Sequence, residues 1–368
     1  MNIGWNLLAV EQSPGNQLTY SRQNKQWQFR TELKRSIWST RASIIRTMQM
    51  QKTPHFFPTK LSELPQEHSD WTFKGGKWDT FHGVPMPIII RECNAVGVQP
   101  WVQVPHSLSI NDQHAFVKSI IDSSQKKPIV GYSNEFWNTA HYPYNRMMQD
   151  FRLGTFDELI AHYARSLSRL KQAFGPSIQV SLEAQSNNPW VANRILELTT
   201  TKPDILAIGA YFGHDMRRIA NLFISDHDVK SLNFESMLGS MELWGLLSAD
   251  LSIRLTDRVK RHKALADKYG LIPMTYEAGQ HLVHQESAKG YETDQYIKMN
   301  QDNRMGGLIF DMLRILQRHK YHTTVLYGLI GKPSHFGSWG FRQNWGIPDK
   351  RLDAKYLAVV RWLQKTTY

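Results

Sequence analysis

The chain has 368 residues, 44 Lys and Arg against 32 Asp and Glu, a formal net charge of +12 and one cysteine. Its lone Cys93 excludes any disulfide within the chain and reads as a small core residue, and no apolar run reaches the roughly 18 to 20 residues that cross a bilayer. The positive charge suits an anionic partner, but zinc-finger spacing, an RNP-type aromatic strand and a basic tail are all missing, so nucleic acid is not the expected one.

In chain order, eight short β-rich runs bounded by turn residues stand out: 2–10, 42–50, 97–105, 127–135, 177–184, 204–212, 272–279 and 323–330. The first opens the chain, and "MNIGWNLLAVEQ" lacks the basic-then-apolar pattern of a secretion signal. The expectation is a cytoplasmic protein, or a secreted or periplasmic one if an upstream signal has been removed. Helical patterns lie between the runs. In "TFDELIAHYARSLSRLKQAFG", Thr155 and Glu158 make a capping box, Leu159, Tyr163, Leu167, Leu170 and Phe174 share one face, and Gly175 is predicted to end the helix in the left-handed region. The order helix, glycine, strand recurs at Gly97 and Gly270, as in connections between parallel strands. In "RLTDRVKRHKALADKYG", Arg254, Arg258 and Arg261 have the spacing of a solvated helix face.

Strands alternating with helices predict an α/β fold, a single (β/α)₈ TIM barrel over 1–368 with long loops after strands 2 (51–83) and 6 (213–248). Such barrels run from roughly 200 to over 400 residues. The competing doubly wound sheet needs a Gly-rich phosphate turn after its first strand, which "LLAVEQSPGNQ" is not.

Barrel chemistry sits at the C-terminal ends of the strands. Those ends hold Arg46, His106, Asn134 and Glu135, Glu183, Tyr211 and His214, then Tyr276 and Glu277, with Trp339 and Trp345 after the last strand. Glu135 and Glu277 fall at the ends of strands 4 and 7, across the mouth from one another. Two carboxyls about 5 to 5.5 Å apart suit retaining glycoside hydrolysis, whereas about 6.5 to 9.5 Å leaves room for the water of an inverting enzyme. In "GYSNEFWN" (131–138), Tyr132, Phe136 and Trp137 are expected to wall Glu135 with low-polarity surface, raising its affinity for a proton.

The stretches "PWVQVPHSLS", "VGYSNEFWN" and "TYEAGQHL" resemble clan A of the glycoside hydrolases, and within it a poorly characterised bacterial group of carbohydrate-active barrel proteins. That resemblance implies Glu135 as acid/base, Glu277 as nucleophile and Asn134 on the sugar 2-hydroxyl. It further implies Arg46 orienting the nucleophile, His106 near the substrate or behind it, Tyr211 donating to the nucleophile and Trp339 beneath the reacting sugar. Members of the group usually add a β-rich domain, which this sequence does not show.

Aromatics in the long loops suggest subsites for an extended sugar chain, with Trp78 and Trp137 reaching ligand and His281 lining the cleft. The resulting expectation is a retaining, endo-acting glycosidase on a polysaccharide or oligosaccharide, anionic if the positive charge is a guide, with no cofactor and no metal. Glu183 reads as structural or substrate-contacting. Two alternatives stand beside it: a carbohydrate-binding barrel without chemistry, and a metal-dependent hydrolase built on His281, His284 and Glu286, although the first strand lacks the histidine ligands such hydrolases carry.

Overall fold

A computed structural model of the protein describes residues 1–7, 18–21, 26–51, 56–65, 73–74, 77–78, 83–214, 219, 241–283, 290–333, 337–344, 346, 348–349 and 351–366. Eight strands form a closed ring: β1 (Asn2–Asn6), β2 (Ala42–Arg46), β3 (Gln99–Val104), β4 (Ile129–Tyr132), β5 (Gln179–Ala184), β6 (Ile205–Phe212), β7 (Ile272–Gln280) and β8 (Thr323–Tyr327). Each pairs in parallel with its chain neighbour, and β8 closes the ring on β1. The fold is the expected (β/α)₈ barrel.

Parallel strands buried on both faces need apolar residues on both. Inward, Ile44, Trp101, Ile129, Ile205, Ala207, Met274, Tyr276 and Val325 fill the barrel. Outward, residues such as Val102, Val130 and Val180 pack under the helices. Those helices follow the strands in turn: Thr31–Ser39, Met86–Val96, Ile110–Ser123, Phe156–Phe174, Pro189–Leu198, Thr256–Tyr269, Asn303–Arg318 and Ala354–Thr366.

The capping box forms, with Thr155 Oγ1 accepting from the Glu158 N–H and the Glu158 carboxylate accepting from the Thr155 N–H. Gly175 departs from expectation, being right-handed (φ −45°, ψ −42°). The Ser177 and Ile178 N–H groups both reach the Phe174 carbonyl and close the helix one turn later, so no left-handed residue is needed. Gly97 (φ 71°) and Gly270 (φ 68°) are left-handed as expected.

Of the long loop after β2, the structure describes residues 56–65 and the backbone of a short hairpin, Phe73–Lys74 with Lys77–Trp78. Phe57 packs on the His106 ring and beneath the Arg146 guanidinium. The loop after β6 ends in helix Met241–Ala249, where Leu243, Trp244, Leu246 and Leu247 are buried. A π-helical turn, Asp250–Leu255, joins it to the next helix, and buried Asp250 there accepts from the Gly213 N–H at the end of β6. Among the described residues no helix is long and apolar enough to cross a membrane.

Candidate active site

Two residues further along the strands, the barrel interior changes character. Above Ile44 stands Arg46, above Trp101 stands Gln103, and above Ile129 stands Gly131. Arg46 is wholly buried, and a buried charge needs partners. It has three: Nη1 donates to Glu277 Oε1 (2.7 Å), and Nη2 to Glu183 Oε2 (2.6 Å) and Asn134 Oδ1 (2.8 Å). Its guanidinium also lies 5.0 Å from the centre of the Tyr276 ring. Burial disfavours the Arg46 charge, but Glu183 and Glu277 together hold it above the ordinary arginine range.

Glu277 accepts from three side chains on three strands: Asn6 Nδ2 (2.9 Å), Arg46 Nη1 and the Tyr211 hydroxyl (2.8 Å). All three are donors, so the pocket is built for the carboxylate anion. Burial nevertheless pushes its pKa up to about 7. Arg46 opposes the rise, Glu135 adds to it, and the Tyr211 hydrogen bond opposes it. One guanidinium thus serves two carboxylates.

Tyr276, next in the chain to Glu277, also points into the barrel mouth and donates to Glu135 Oε1 (3.0 Å). Neighbours on a regular strand face opposite ways. Here the β6–β7 register slips, Ile208 pairing with Thr275 and Gly209 with Glu277, so Tyr276 is the extra residue of a β-bulge. Gly209 leaves the space for its hydroxyl, which a Cβ there would approach to 3.1 Å.

Glu135 lies beyond the end of β4, not on its last residue as the sequence suggested. Ser133 (φ 60°) and Glu135 (φ 42°) are both left-handed, and this kinked turn brings Asn134 onto Arg46 and Glu135 to the cleft. Glu277 likewise lies inside its strand, three residues before the end. The second Glu135 oxygen accepts from Asn138 Nδ2 (3.0 Å) and lies 3.1 Å from His141 Nδ1. Of the three aromatics expected to wall Glu135, only Trp137 lines the cleft. Tyr132 and Phe136 turn outward, Phe136 stacking on Tyr163 at 3.9 Å, because they face the long helix Phe156–Phe174.

The cleft, of about 530 Å³, brings together Asn134, Glu135, Trp137, Tyr211, Glu277, His281 and Trp339. Trp339 stands edge-on to Tyr211, Tyr327 and His281, with ring centres 5.0 to 5.9 Å away. Burial, with His214 close by, pushes His281 down to about 3, so its ring is neutral near pH 7. His106 is not in the cleft. It lies behind β4 with Nδ1 3.0 Å from Ser133 Oγ, and burial, with His162 and Arg146 near, pushes it down to about 3. The side chain of Trp78 and residues Trp345, His284 and Glu286 lie outside the described residues. Among the described residues, no three His, Cys, Asp or Glu side chains come together as a metal site would require.

Glu183, read from the sequence as structural or substrate-contacting, accepts from Arg46, Trp101 Nε1 and Gln103 Nε2 and is the buried counterweight of Arg46. Tyr276 was placed at its strand end but without its bond to Glu135, and Asn6, His141 and the Gln49–Tyr327 pair were missed altogether. Arg258, expected on a solvated helix face, is instead 8 % exposed and lines the cleft. Its helix packs against β6, so its face turns to the Tyr211 carbonyl, which accepts from Nη2 at 2.8 Å.

No family model and no curated protein sequence matches the chain. Solved structures do match its fold. An α-L-arabinofuranosidase from Thermotoga maritima superposes with a TM-score of 0.56 at 14% identity, covering 98% of this chain and 69% of that one. A fungal β-1,4-galactanase gives 0.54 at 10% identity, covering 98% and 99%. A broad-specificity endoglucanase from Clostridium longisporum gives 0.51 at 12%, covering 99% and 96%. The likeness is one of fold: the chain is built as a (β/α)₈ barrel of the kind these glycoside hydrolases carry.

Proposed function

We propose that the protein is a glycoside hydrolase that works with retention through a covalent glycosyl intermediate. The observation that carries this reading is the unlike setting of two carboxyl groups on one cleft. Glu277 is gripped by donors from β1, β2 and β6, which suits a nucleophile fixed in place. Glu135 sits on a turn at the cleft edge, within reach of a leaving group.

In this mechanism a Glu277 oxygen attacks the anomeric carbon as the Glu135 carboxyl gives its proton to the departing glycosidic oxygen. Glu135, now a carboxylate, takes a proton from water, and that water releases the sugar from Glu277. Arg46 occupies Asn134 Oδ1, which leaves the Asn134 N–H₂ to donate to a sugar hydroxyl. The Trp339, Tyr211 and Tyr327 rings offer apolar surface to the sugar's C–H face, and Trp137 serves a neighbouring subsite. His106 acts from behind by holding Ser133 in its kinked conformation. Residues after β2, β4, β5 and β8 line the cleft, from Met48 and Gln49 through Asn138 and His141 to Asn187 and Trp339, and a site spread over so many strand ends favours an internal bond of the glycan chain over its end.

The test is hydrolysis of a panel of neutral, uronic and sulfated polysaccharides, with the anomer of fresh product followed by NMR. Retention is expected, with Glu277→Gln down by about 10⁴-fold or more and Glu135→Gln by about 10²- to 10⁴-fold. An aryl glycoside whose leaving group needs no proton should restore much of the first step to Glu135→Gln and none to Glu277→Gln. Inversion, or equal rescue of both, would sink the assignment.

A further inference from the structure

Arg258 is the one lysine or arginine, among the described residues, that lines the cleft. Its helix neighbours are ion-paired: Arg254 with Asp250 (3.2 Å) and Arg261 with Asp257 (2.8 Å). Arg258 is not. It donates to two neutral oxygens, Asn187 Oδ1 and the Tyr211 carbonyl, each at 2.8 Å, and its buried Nε has no partner. Among the described residues, the acid whose charge favours Arg258 most is Asp250, and it is already engaged by Arg254 and the Gly213 N–H. Burying a cation without a counter-ion is costly, and an anion arriving from the cleft would relieve that cost through charge-assisted hydrogen bonds.

Its place in the cleft says which part of a ligand that anion belongs to. The reaction centre gathers three carboxyl groups, with Glu183 and Glu277 already sharing the single charge of Arg46 and Glu135 close by, and so offers no free positive charge to an anion on the reacting ring. Arg258 stands outside that cluster, one backbone carbonyl away from Tyr211, with Asn187 beside it on the loop after β5.

We propose that the substrate is an anionic glycan, and that Arg258 with Asn187 receives a carboxylate or sulfate on a sugar adjacent to the one held at Glu277. This rests on the glycosidase reading for its setting but not for its test. A +12 net charge adds attraction at long range, while Arg258 supplies the local contact.

Binding is measured by affinity electrophoresis, and hydrolysis separately, on matched pairs: a uronic-acid polysaccharide with its carboxyl-reduced form, and a sulfated galactan with its desulfated form. The wild type is expected to bind one acidic member at least about tenfold more tightly than its neutral partner, less so as salt is raised. Which pair shows the preference separates carboxylate from sulfate. Arg258→Gln should bring the acidic-to-neutral ratio to about one, and Arg258→Lys, which keeps the charge but not the fork, should fall between that and the wild type. A wild-type ratio at or below one overturns the inference without any variant, as does a ratio unchanged in Arg258→Gln. Hydrolysis without acidic preference leaves the glycosidase reading standing and removes this one. Acidic preference that depends on Arg258, without hydrolysis of any glycan, does the reverse.

Discussion

At the scale of single residues the site is an exercise in sharing charge. Arg46 holds Glu277, Glu183 and Asn134 with two nitrogens, so Glu277 receives only part of its attraction and burial wins. This has a kinetic consequence. A nucleophilic carboxylate is inactive when protonated, and Glu277 binds its proton up to about pH 7. The acidic limb of kcat/KM in the free enzyme should therefore sit near pH 7, well above the ordinary glutamate value, with activity rising as pH increases through it. A profile already flat down to pH 5 would contradict this. Strand order brings the ends of strands 4 and 7 to one mouth, but it brings Glu183 of strand 5 there too, and only the resemblance to clan A set Glu135 and Glu277 apart from it. Arg258 could not be picked out from the sequence, since three arginines at helical spacing look the same whether the face meets water or a cleft wall. Nothing in the local pattern shows that the helix packs with this face on β6.

At the scale of elements, two irregular backbones do the positioning. The bulge in β7 turns both Tyr276 and Glu277 inward, and the two left-handed residues after β4 present Asn134 and Glu135 together. Neither feature follows from alternation of apolar and polar residues, which assumes a regular strand; a period-2 reading sends Tyr276 outward. The eight strands themselves were legible because each is a short run buried on both sides, and their limits fell within a few residues of the runs. Gly131 shows how tightly the regular part must fit. A Cβ there would lie 2.3 Å from Gln103 Oε1 and 2.6 Å from Glu183 Oε1, and Gln103 Nε2 and Arg46 tie these two side chains into one polar layer. Gly131→Ala is expected to lower the unfolding free energy by about 1–3 kcal/mol, as overpacking of a filled interior does. It should lower kcat as well, because Glu183 must move and Arg46 with it. Urea unfolding beside kcat on the same preparation checks both, and an alanine variant with normal kcat would show that the layer tolerates displacement.

For the whole molecule, stability and activity pull against each other through one proton. Glu277 has its folded-state pKa raised, from an ordinary 4.5 to about 7. Below about pH 4.5 it is protonated in both folded and unfolded chains, and its contribution is full. As pH rises through about 7 the folded protein must give up a proton it holds more tightly than the unfolded chain does, and that contribution is lost. At about 1.4 kcal/mol per unit, the loss amounts to about 3 kcal/mol by pH 8, a large share of the 5–15 kcal/mol that holds a typical domain folded. Glu277→Gln keeps the shape of the neutral acid and carries no proton to lose. It is expected to match the wild type near pH 4.5 and to melt higher than the wild type above pH 7, while having lost its activity throughout. Melting curves of the two proteins from pH 4.5 to 8.5 decide it: parallel curves would mean that Glu277 ionises as readily in the barrel as in water. A widening gap would show that the barrel keeps its nucleophile at a standing cost in stability, set by burial that Arg46 only partly offsets.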